Sequence, residues 1–138
     1  QLNLLKKNNN FIHLGYRDNI PLYLNVMDIF CLPSLEEGYG MVIPQAMACG
    51  LPVVAAGATG AASLVDDGRT GRLVAPGKPD VFAPACAEAL APYCTDDDLR
   101  LLHGANGEQV ARAYTWDAIN QAVVDTYLRL IETRAAAR

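Results

Sequence analysis

The chain has 138 residues, of which 51% are hydrophobic and 19% charged, and its formal net charge is −4. This length suits one domain with a packed core, and the acidic balance argues against a nucleic-acid-binding protein, which would carry a basic face. The apolar runs are too short to span a bilayer, and the polar first ten residues lack the pattern of a secretory signal.

The cysteines indicate a reducing, cytoplasmic compartment. None of the four forms a Cys-x-x-Cys pair, and the two histidines lie apart from them, so the sequence predicts no zinc site. Cys31 and Cys49 lie in apolar segments, where a reduced cysteine acts as a small core residue.

Hydrophobic periodicity and turn residues predict alternating strands and helices. In chain order, the predicted elements are the end of a helix at 2–7, a strand at 11–16, a helix at 18–28, a strand at 29–32, a helix at 41–49, a strand at 53–56, a flexible loop at 57–60, a helical turn at 61–65, a strand at 71–75, helices at 80–90, 99–113 and 117–133, and a frayed tail at 134–138. This alternation predicts an α/β layer fold with a mostly parallel sheet, which binds ligands at the carboxyl ends of its strands.

The helix ends carry recognisable signals. Pro44 is tolerable only in the first turn of the helix at 41–49, and Gly50 fits the position just past its end. The run of aspartates at 96–98 predicts N-caps for the next-to-last helix. The last helix has an apolar face formed by Ile119, Val123, Tyr127 and Leu130.

The loop at 33–40 follows a predicted buried strand and is the first candidate for function. Its two glycines allow a tight turn, and the N–H groups at 40–42 would form an anion site suited to a diphosphate. Glu37 and, eight residues on, Gln45 could bond sugar or ribose hydroxyls. A Gly-x-Gly turn can also be a simple connection, and Glu37 can equally be a first-turn acid that favours the helix dipole, so both alternatives stay open on these residues alone.

The wider string favours a ligand site. Residues 32–55 read LPSLEEGYGMVIPQAMACGLPVVA, which closely resembles the signature of the retaining GT-B glycosyltransferases of the glycosyl transferases group 1 family. That signature has two glutamates separated by seven residues, a Gly-aromatic-Gly turn after the first, and Ala-Met-Ala-Cys-Gly-x-Pro-Val after the second. The segments HLGYRDNIPLYL, MDIFCLPS, DDGRTGRLVAPG and YTWDAINQAVVDTYLRLI also resemble the family in the same order, so that the likeness covers roughly 11–131. It implies a partial Rossmann-like, mostly parallel sheet with flanking helices, the C-terminal domain of a GT-B fold.

The resemblance implies roles for individual residues. Glu37 matches the first glutamate, which contacts the donor sugar, and it is the catalytic candidate. The donor-binding candidates that would act through backbone N–H groups are Gly38, Tyr39, Gly40, Met41 and Val42. Gln45 stands where the family has its second glutamate, which grips the ribose; glutamine keeps the reach but loses the charge.

Tyr16 and Arg17 follow the first predicted strand, where the family often contacts the nucleobase. The alternative, a surface or core aromatic beside a solvated cation, stays open for this pair. Four other residues are assigned no ligand and are expected to pack or to have no role: His13, His103, Trp116 and Tyr127.

The resemblance also implies parts that residues 1–138 do not contain. The family's donor domain begins with two further strand–helix units, whose arginine and lysine neutralise the diphosphate, and an acceptor domain precedes it. We therefore expect 1–138 to be a single partial donor-nucleotide-binding domain with 117–133 as its closing helix, and the acceptor domain or the rest of a parent chain as its partner. If the strand order is 3-2-1-4-5-6, two central strands are absent, which predicts an incomplete sheet, an exposed apolar edge and marginal stability.

The function implied by the resemblance is nucleotide-sugar-dependent, retaining hexosyl transfer, without a cofactor or divalent metal, by a cytoplasmic parent enzyme. Peripheral association of that enzyme with the inner face of the membrane stays open. A non-catalytic, degenerate nucleotide-binding or assembly module is the alternative, favoured by Gln45 and the absent basic residues. A dinucleotide-dependent oxidoreductase is disfavoured because no Gly-x-Gly-x-x-Gly follows the first strand.

Overall fold

A computed structural model describes residues 7–136, which form three strands and six helices. The helices are α1 (Ile20–Leu24), α2 (Val42–Ala48), α3 (Thr59–Leu64), α4 (Pro79–Thr95), α5 (Asp97–Ala111) and α6 (Trp116–Ala136). The strands are β1 (Phe30–Leu32), β2 (Val53–Ala56) and β3 (Gly71–Val74). The predicted helix end at 2–7 lies outside the described residues except for Lys7.

The three strands form one parallel sheet in the order β1-β2-β3. The central strand β2 is buried at every position. Successive side chains of a strand point to opposite faces, so Val53 and Ala55 enter one hydrophobic core, with α2 and α3, while Val54 and Ala56 enter a second core, with α4. The predicted α/β class, a partial and mostly parallel sheet with flanking helices, is confirmed.

One predicted strand is wrong. Residues 11–16 have no regular secondary structure, although the sequence pattern favours a strand there. A β-strand exists only through hydrogen bonds to a neighbour, and none of the described strands pairs with this segment. Ile12 and Tyr16 are consequently 79% and 87% exposed, and His13 is exposed rather than packed as predicted.

The end of α2 follows the sequence prediction closely. Gly50 adopts a φ of 71°, its N–H donates to Met47 O over 2.9 Å, and the Leu51 N–H donates to Ala46 O over 3.1 Å. These two bonds form a Schellman motif, which satisfies carbonyl groups that the helix would otherwise leave unpaired. The chain can then turn directly into β2.

The helices after the sheet are longer or shifted relative to prediction. α4 runs to Thr95, past Pro84 and Pro92, because its apolar side chains, including the buried Tyr93, hold it against the sheet. α5 begins at Asp97, with the Asp96 carboxylate accepting a hydrogen bond from the Leu99 N–H over 2.9 Å. The predicted aspartate cap is therefore confirmed.

The last helix, α6, is exposed along its whole described length. It has no buried residue, and its predicted packing residues Trp116 and Tyr127 are 72% and 64% exposed, so their assignment to the core is wrong. The helix continues through Ala136 instead of fraying at Arg134, since Ala135 and Ala136 are strong helix formers. Residues 137 and 138 lie outside the described part of the chain.

The two outer edges of the sheet differ. Within residues 7–136, β1 pairs with β2 alone, and an apolar groove of about 440 Å³ lies between the end of β1 and α4. The outer edge of β3 is capped, because the Asp67 carboxylate accepts from the Leu73 N–H over 2.9 Å and the Gly68 N–H donates to Gly71 O over 2.9 Å. The open edge therefore lies on the β1 side, where the sequence predicts missing strands.

A buried polar pair joins α4 to α5. Tyr93 Oη and His103 Nδ1 lie 2.8 Å apart, and these residues are only 1% and 5% exposed. Burial raises the pKa of Tyr93 to about 12, so its hydroxyl stays protonated and can donate to the imidazole. Burial also lowers the pKa of His103, with the positive charge of Arg72 adding to the effect, so the imidazole is held neutral as the acceptor.

We expect this histidine to make stability depend on pH. Because its folded pKa lies below the ordinary value of 6.5, the unfolded chain takes up the proton first, and the free energy of unfolding should fall as the pH drops below about that value. One such proton gives a slope of at most roughly 1.4 kcal/mol per pH unit. Urea unfolding of the natural chain and of His103→Gln between about pH 5 and 8 measures the difference.

The control for this prediction is His13→Gln, at the exposed histidine. That variant should keep the pH slope of the natural chain, whereas His103→Gln should flatten it. A difference in unfolding free energy between the natural chain and His103→Gln that stays constant over the whole range would contradict the prediction.

Candidate functional site

The candidate loop leaves the carboxyl end of β1 and enters α2, as predicted. Gly40 is buried and has a φ of 71°, a conformation that favours glycine. Its carbonyl oxygen accepts a hydrogen bond from the Ile43 N–H over 2.8 Å, which starts the helix. Gln45 is the fourth residue of α2, one turn in, and its side chain is exposed.

The loop side chains differ in burial. Glu37 is half-buried, whereas Tyr39 and Met41 are 45% and 52% exposed. The carboxylate thus stands where protein surface partly surrounds it, and the aromatic and thioether groups face outward. Val42 is half-buried at the first helical position.

A groove of about 550 Å³ brings three of the predicted site residues together. Tyr39, Met41 and Gln45 line it with two further residues of α2. Its opposite side comes from the end of α5 and the start of α6: Ala111, Tyr114, Trp116 and Ile119. None of the charged side chains among residues 7–136 lines it, so Gln45 supplies its amide to a largely aromatic and aliphatic wall.

The other predicted residues do not line this groove. Glu37, Gly38, Gly40 and Val42 lie outside its lining. Tyr16 and Arg17 are exposed on the irregular segment that follows Gly15, whose φ is 67°. The structure therefore does not join the proposed nucleobase contact to the groove at α2.

Gly60 in α3 packs directly against the backbone of the loop. A Cβ atom added at Gly60 would lie 2.6 Å from Tyr39 O and 2.8 Å from Gly38 O, both backbone atoms that cannot rotate away. The absence of a side chain at this position allows the start of α3 to touch the Gly38–Gly40 turn. Residues 57–60, predicted to be a flexible loop, are thus half helical and support the candidate site.

We expect Gly60→Ala to displace the turn at 38–40. Alanine favours a helix, but the contact with the Tyr39 carbonyl cannot be relieved by a rotamer change, and overpacking of this kind costs about 1–3 kcal/mol. Chemical denaturation should show a lower unfolding free energy, and the backbone amide resonances of Gly38 and Tyr39 should shift in NMR spectra.

The matched control is Gly77→Ala, where an added Cβ meets nothing within 4 Å. This variant should leave stability unchanged or slightly higher, because alanine restricts the unfolded chain. Equal stability of Gly60→Ala and Gly77→Ala, with unmoved loop resonances, would show that α3 does not support the turn.

Sequence reasoning missed Gly60, Tyr114, Trp116 and Ile119. The aromatic pair in the Tyr114-Thr115-Trp116 string is a local signal, but nothing in the sequence says that it faces α2 across a groove. The Gly60 contact joins segments about twenty residues apart and has no local signature.

Other chemistry in the described residues is limited. Burial raises the pKa of the Cys31 and Cys86 thiols, and the neighbouring Cys86 adds to the effect at Cys31, so both stay protonated and are poor nucleophiles. Among residues 7–136, no three His, Cys, Asp or Glu side chains are grouped so that they could hold a metal ion. No helix in this part of the chain is long and apolar enough to cross a membrane.

The sequence matches a known family over two thirds of its length. The glycosyl transferases group 1 family matches residues 1–92, which include the whole candidate loop and α2. With the parallel sheet and the loop at its carboxyl edge, this match defines the class, and the chain belongs to the glycosyl transferases group 1 family.

Named relatives agree with this assignment. The chain is 42% identical over 112 residues to D-inositol 3-phosphate glycosyltransferase 2 of Catenulispora acidiphila, a match that covers 80% of this chain and 25% of the relative. It is 33% identical over 101 residues to the phosphatidyl-myo-inositol mannosyltransferase of Mycobacterium tuberculosis, covering 72% of this chain and 27% of the relative. The chain thus spans about a quarter of the length of the curated relatives it matches.

Solved structures share the fold. Sucrose-phosphate synthase from Thermosynechococcus elongatus superposes with a TM-score of 0.81 at 28% identity, covering 96% of this chain and 34% of that one. Anabaena HepE in complex with UDP and glucose superposes with a TM-score of 0.75 at 31% identity, covering 93% of this chain and 34% of that one. The likeness to both extends well beyond the candidate loop, since it covers nearly the whole chain.

Proposed function

We propose that this chain is the donor-binding part of a nucleotide-sugar-dependent glycosyltransferase, which transfers a hexosyl group with retention of configuration. The observation that carries the proposal is the loop with Glu37 and the Gly38–Gly40 turn at the carboxyl end of β1, leading directly into α2. Ligands of parallel sheets bind at this edge. HepE, whose chain superposes on this one, is described in complexes with UDP and with UDP-glucose, which supports a nucleotide sugar as donor.

Glu37 is proposed to accept hydrogen bonds from hydroxyls of the donor sugar. Its half-buried position strengthens such bonds relative to a fully solvated carboxylate, because less water competes for it. Backbone N–H groups of Gly38 to Val42 are proposed to hold the sugar and diphosphate. Catalysis then consists of holding the donor and stabilising the departing diphosphate, without a metal or other cofactor.

Gln45 is proposed to face the ribose. It lies one turn into α2 with an exposed amide, and this amide accepts one hydrogen bond where a carboxylate would grip a diol with both oxygens. The chain alone therefore binds its donor weakly and transfers nothing, and the basic groups and the acceptor domain come from the rest of a parent protein. Tyr16 and Arg17 remain candidates for the nucleobase.

The parent enzyme is proposed to act in the cytoplasm, where nucleotide sugars are the donors, and to reach a membrane-bound acceptor by peripheral association with the inner face. The phosphatidyl-myo-inositol mannosyltransferase among the relatives carries a lipid in its name, which supports this last step.

A second candidate function is a non-catalytic module that binds nucleotide weakly or only mediates assembly. The observations that favour it are Gln45 in place of a glutamate and an apolar groove that no charged residue in the described part of the chain lines. Nucleotide binding separates donor binding from a pure assembly module, which would bind none of the nucleotides. A preference for nucleotides with an attached sugar separates donor binding from a module that only binds nucleotide weakly.

We expect Glu37→Gln to weaken binding of sugar nucleotides and not of bare nucleotides. Loss of charge-assisted bonds to sugar hydroxyls should raise the dissociation constant by about ten- to a hundredfold. Calorimetric titration with UDP, GDP and ADP, each with and without an attached hexose, measures this selectivity. Glu36→Gln, one residue earlier in the loop, is the matched control and should bind like the natural chain.

Two results would count against this role of Glu37. If the bare nucleotide loses affinity as much as the sugar nucleotide, Glu37 supports the loop rather than the sugar. If no nucleotide binds at high concentration, the assembly-module function is favoured over donor binding.

Replacing Gln45 by glutamate should strengthen nucleotide binding. The carboxylate restores a bidentate, charge-assisted bond to the ribose diol, so the dissociation constants of UDP and UDP-glucose should both fall by about three- to tenfold. Gln109→Glu on the exposed surface of α5 adds the same charge elsewhere and should change neither. Unchanged or weaker binding by Gln45→Glu would mean that this side chain does not face the ribose.

A further inference from the structure

A small cavity lies between β3, α4 and α5, near the amino ends of the strands. Its volume is about 160 Å³, and its lining comes from these elements and from the turn before β3: Gly68, Arg72, Ala89, Pro92, Tyr93, Leu99 and His103. The candidate loop follows the carboxyl end of β1, so the two places differ both along the strands and across the sheet. The missing strands predicted from the sequence would join beside β1, on the other flank from this cavity.

The buried pair of Tyr93 and His103 directs a hydrogen-bond donor toward the cavity. Because the Tyr93 hydroxyl donates to Nδ1 of the neutral ring, the imidazole proton lies on Nε2. Among the described residues, the only side-chain hydrogen bond of His103 is this one, and no buried side-chain nitrogen lacks a partner. Nε2 is therefore an accessible nitrogen, and its N–H can donate to a ligand in the cavity.

Arg72 supplies further donors to the same cavity. Its Nε lies 3.2 Å from Oδ1 of Asp67, and its side chain is half exposed. In the part of the chain that the structure describes, the terminal nitrogens of Arg72 form no ion pair. They are therefore available as the planar pair of donors that fits a phosphate or a carboxylate group.

The charges around the cavity favour an anion. Burial is the largest influence on the pKa of both Tyr93 and His103, and the positive charge of Arg72 comes next and lowers both values. The negative charge of Asp67, which raises both pKa values, has a weaker effect than Arg72. The ion pair thus leaves a positive potential at this position. Glu88 lines a neighbouring groove of about 300 Å³ and not this cavity.

We propose that the cavity is a second binding site, which holds a small oxyanion between the terminal nitrogens of Arg72 and Nε2 of His103. The anion is a phosphate or a carboxylate group, either free or at the end of a small molecule. A volume of about 160 Å³ corresponds to roughly five water molecules, so the site admits a single anionic group and not a nucleotide. It is therefore separate in place and in size from the candidate donor site.

The first experiment titrates the 138-residue chain with inorganic phosphate and follows the imidazole resonances of His103 by NMR. The pH stays constant and above the ordinary histidine pKa of about 6.5, and chloride keeps the ionic strength fixed. We expect these resonances to shift and to saturate with a dissociation constant of roughly 1–10 mM, while those of the exposed His13 stay in place. A parallel titration with acetate shows whether the site prefers a phosphate or a carboxylate group, and saturable binding of either supports the proposal.

The second experiment removes the charged donor. Arg72→Gln should raise the dissociation constant at least about tenfold, because charge-assisted hydrogen bonds are lost. The matched control is Arg69→Gln, which removes the same charge from the turn before β3 at a side chain that pairs with Asp66 and does not line the cavity. It should leave the constant unchanged. Both arginine side chains are more than half exposed, and the dispersion of amide resonances checks that each variant stays folded.

The same titration separates the cavity from the candidate loop. Phosphate held by backbone N–H groups of the loop would shift the amide resonances of Gly38 and Gly40, and Arg72→Gln should leave that response unchanged. Shifts of the loop amides without any shift of His103 would overturn the proposal and leave donor binding by the loop intact.

Two further results would contradict a site at this cavity. If the His103 resonances do not move with phosphate or acetate up to roughly 50 mM, the Tyr93–His103 and Arg72–Asp67 pairs serve the fold alone. If Arg72→Gln and Arg69→Gln weaken binding equally, the anion is attracted by the overall charge of the turn and is not held by Arg72.

Discussion

The close approach of α5 to the end of α2 is the contact on which the position of the candidate site depends. A Cβ atom at Gly104 of α5 would collide with the carbonyl oxygen of Gly50, so the two segments meet backbone to backbone. Gly107, one turn later, lies beside the Met47 side chain, where an added Cβ atom would make an ordinary contact 3.4 Å from Met47 Cγ. With Gly50 in a left-handed conformation, α2 can end, turn and enter β2 within a few residues. Because α2 is thereby clamped against the sheet, the loop at its other end is held at the carboxyl edge of β1.

The features that could be predicted from the sequence are those with a local physical cause. The end of α2 was predictable because Gly50 and Pro52 act on their own neighbours, and the Asp96 cap because it bonds an N–H group three residues away. The prediction of a strand at 11–16 is wrong for the opposite reason, since a strand depends on a hydrogen-bonded neighbour that its own residues do not specify. The sequence predicts a helix with an apolar face at α6, but hydrophobic periodicity indicates only that such a face can pack against something. It does not indicate whether the same chain provides the packing partner.

The parts of the candidate site differ in the same way: a local motif predicts some of them, and contacts between distant segments form the others. Glu37 and the turn at 38–40 could be found from the family signature, and the structure places them after β1 and before α2 as expected. The groove beside Gln45 could not, because it forms between α2 and the junction of α5 with α6, segments more than sixty residues apart. The support of the turn by Gly60 is likewise a contact between separate elements. Sequence motifs thus predict individual candidate residues, while the surface around these residues forms only through packing between distant segments.

The Asp67 carboxylate has a consequence for how this molecule can associate. It occupies the Leu73 N–H on the outer side of β3 and also pairs with Arg72, with Arg72 Nε and the carboxylate oxygen 3.2 Å apart. Propagation of strands from copy to copy into a fibril needs two available edges on each molecule, and the sheet formed within residues 7–136 leaves one, at β1. Edge-to-edge association through β1 therefore terminates once two molecules have joined. The turn that precedes β3, through the Asp67 carboxylate and the Gly68 N–H, thus leaves further strands of the described sheet to be added beside β1 alone.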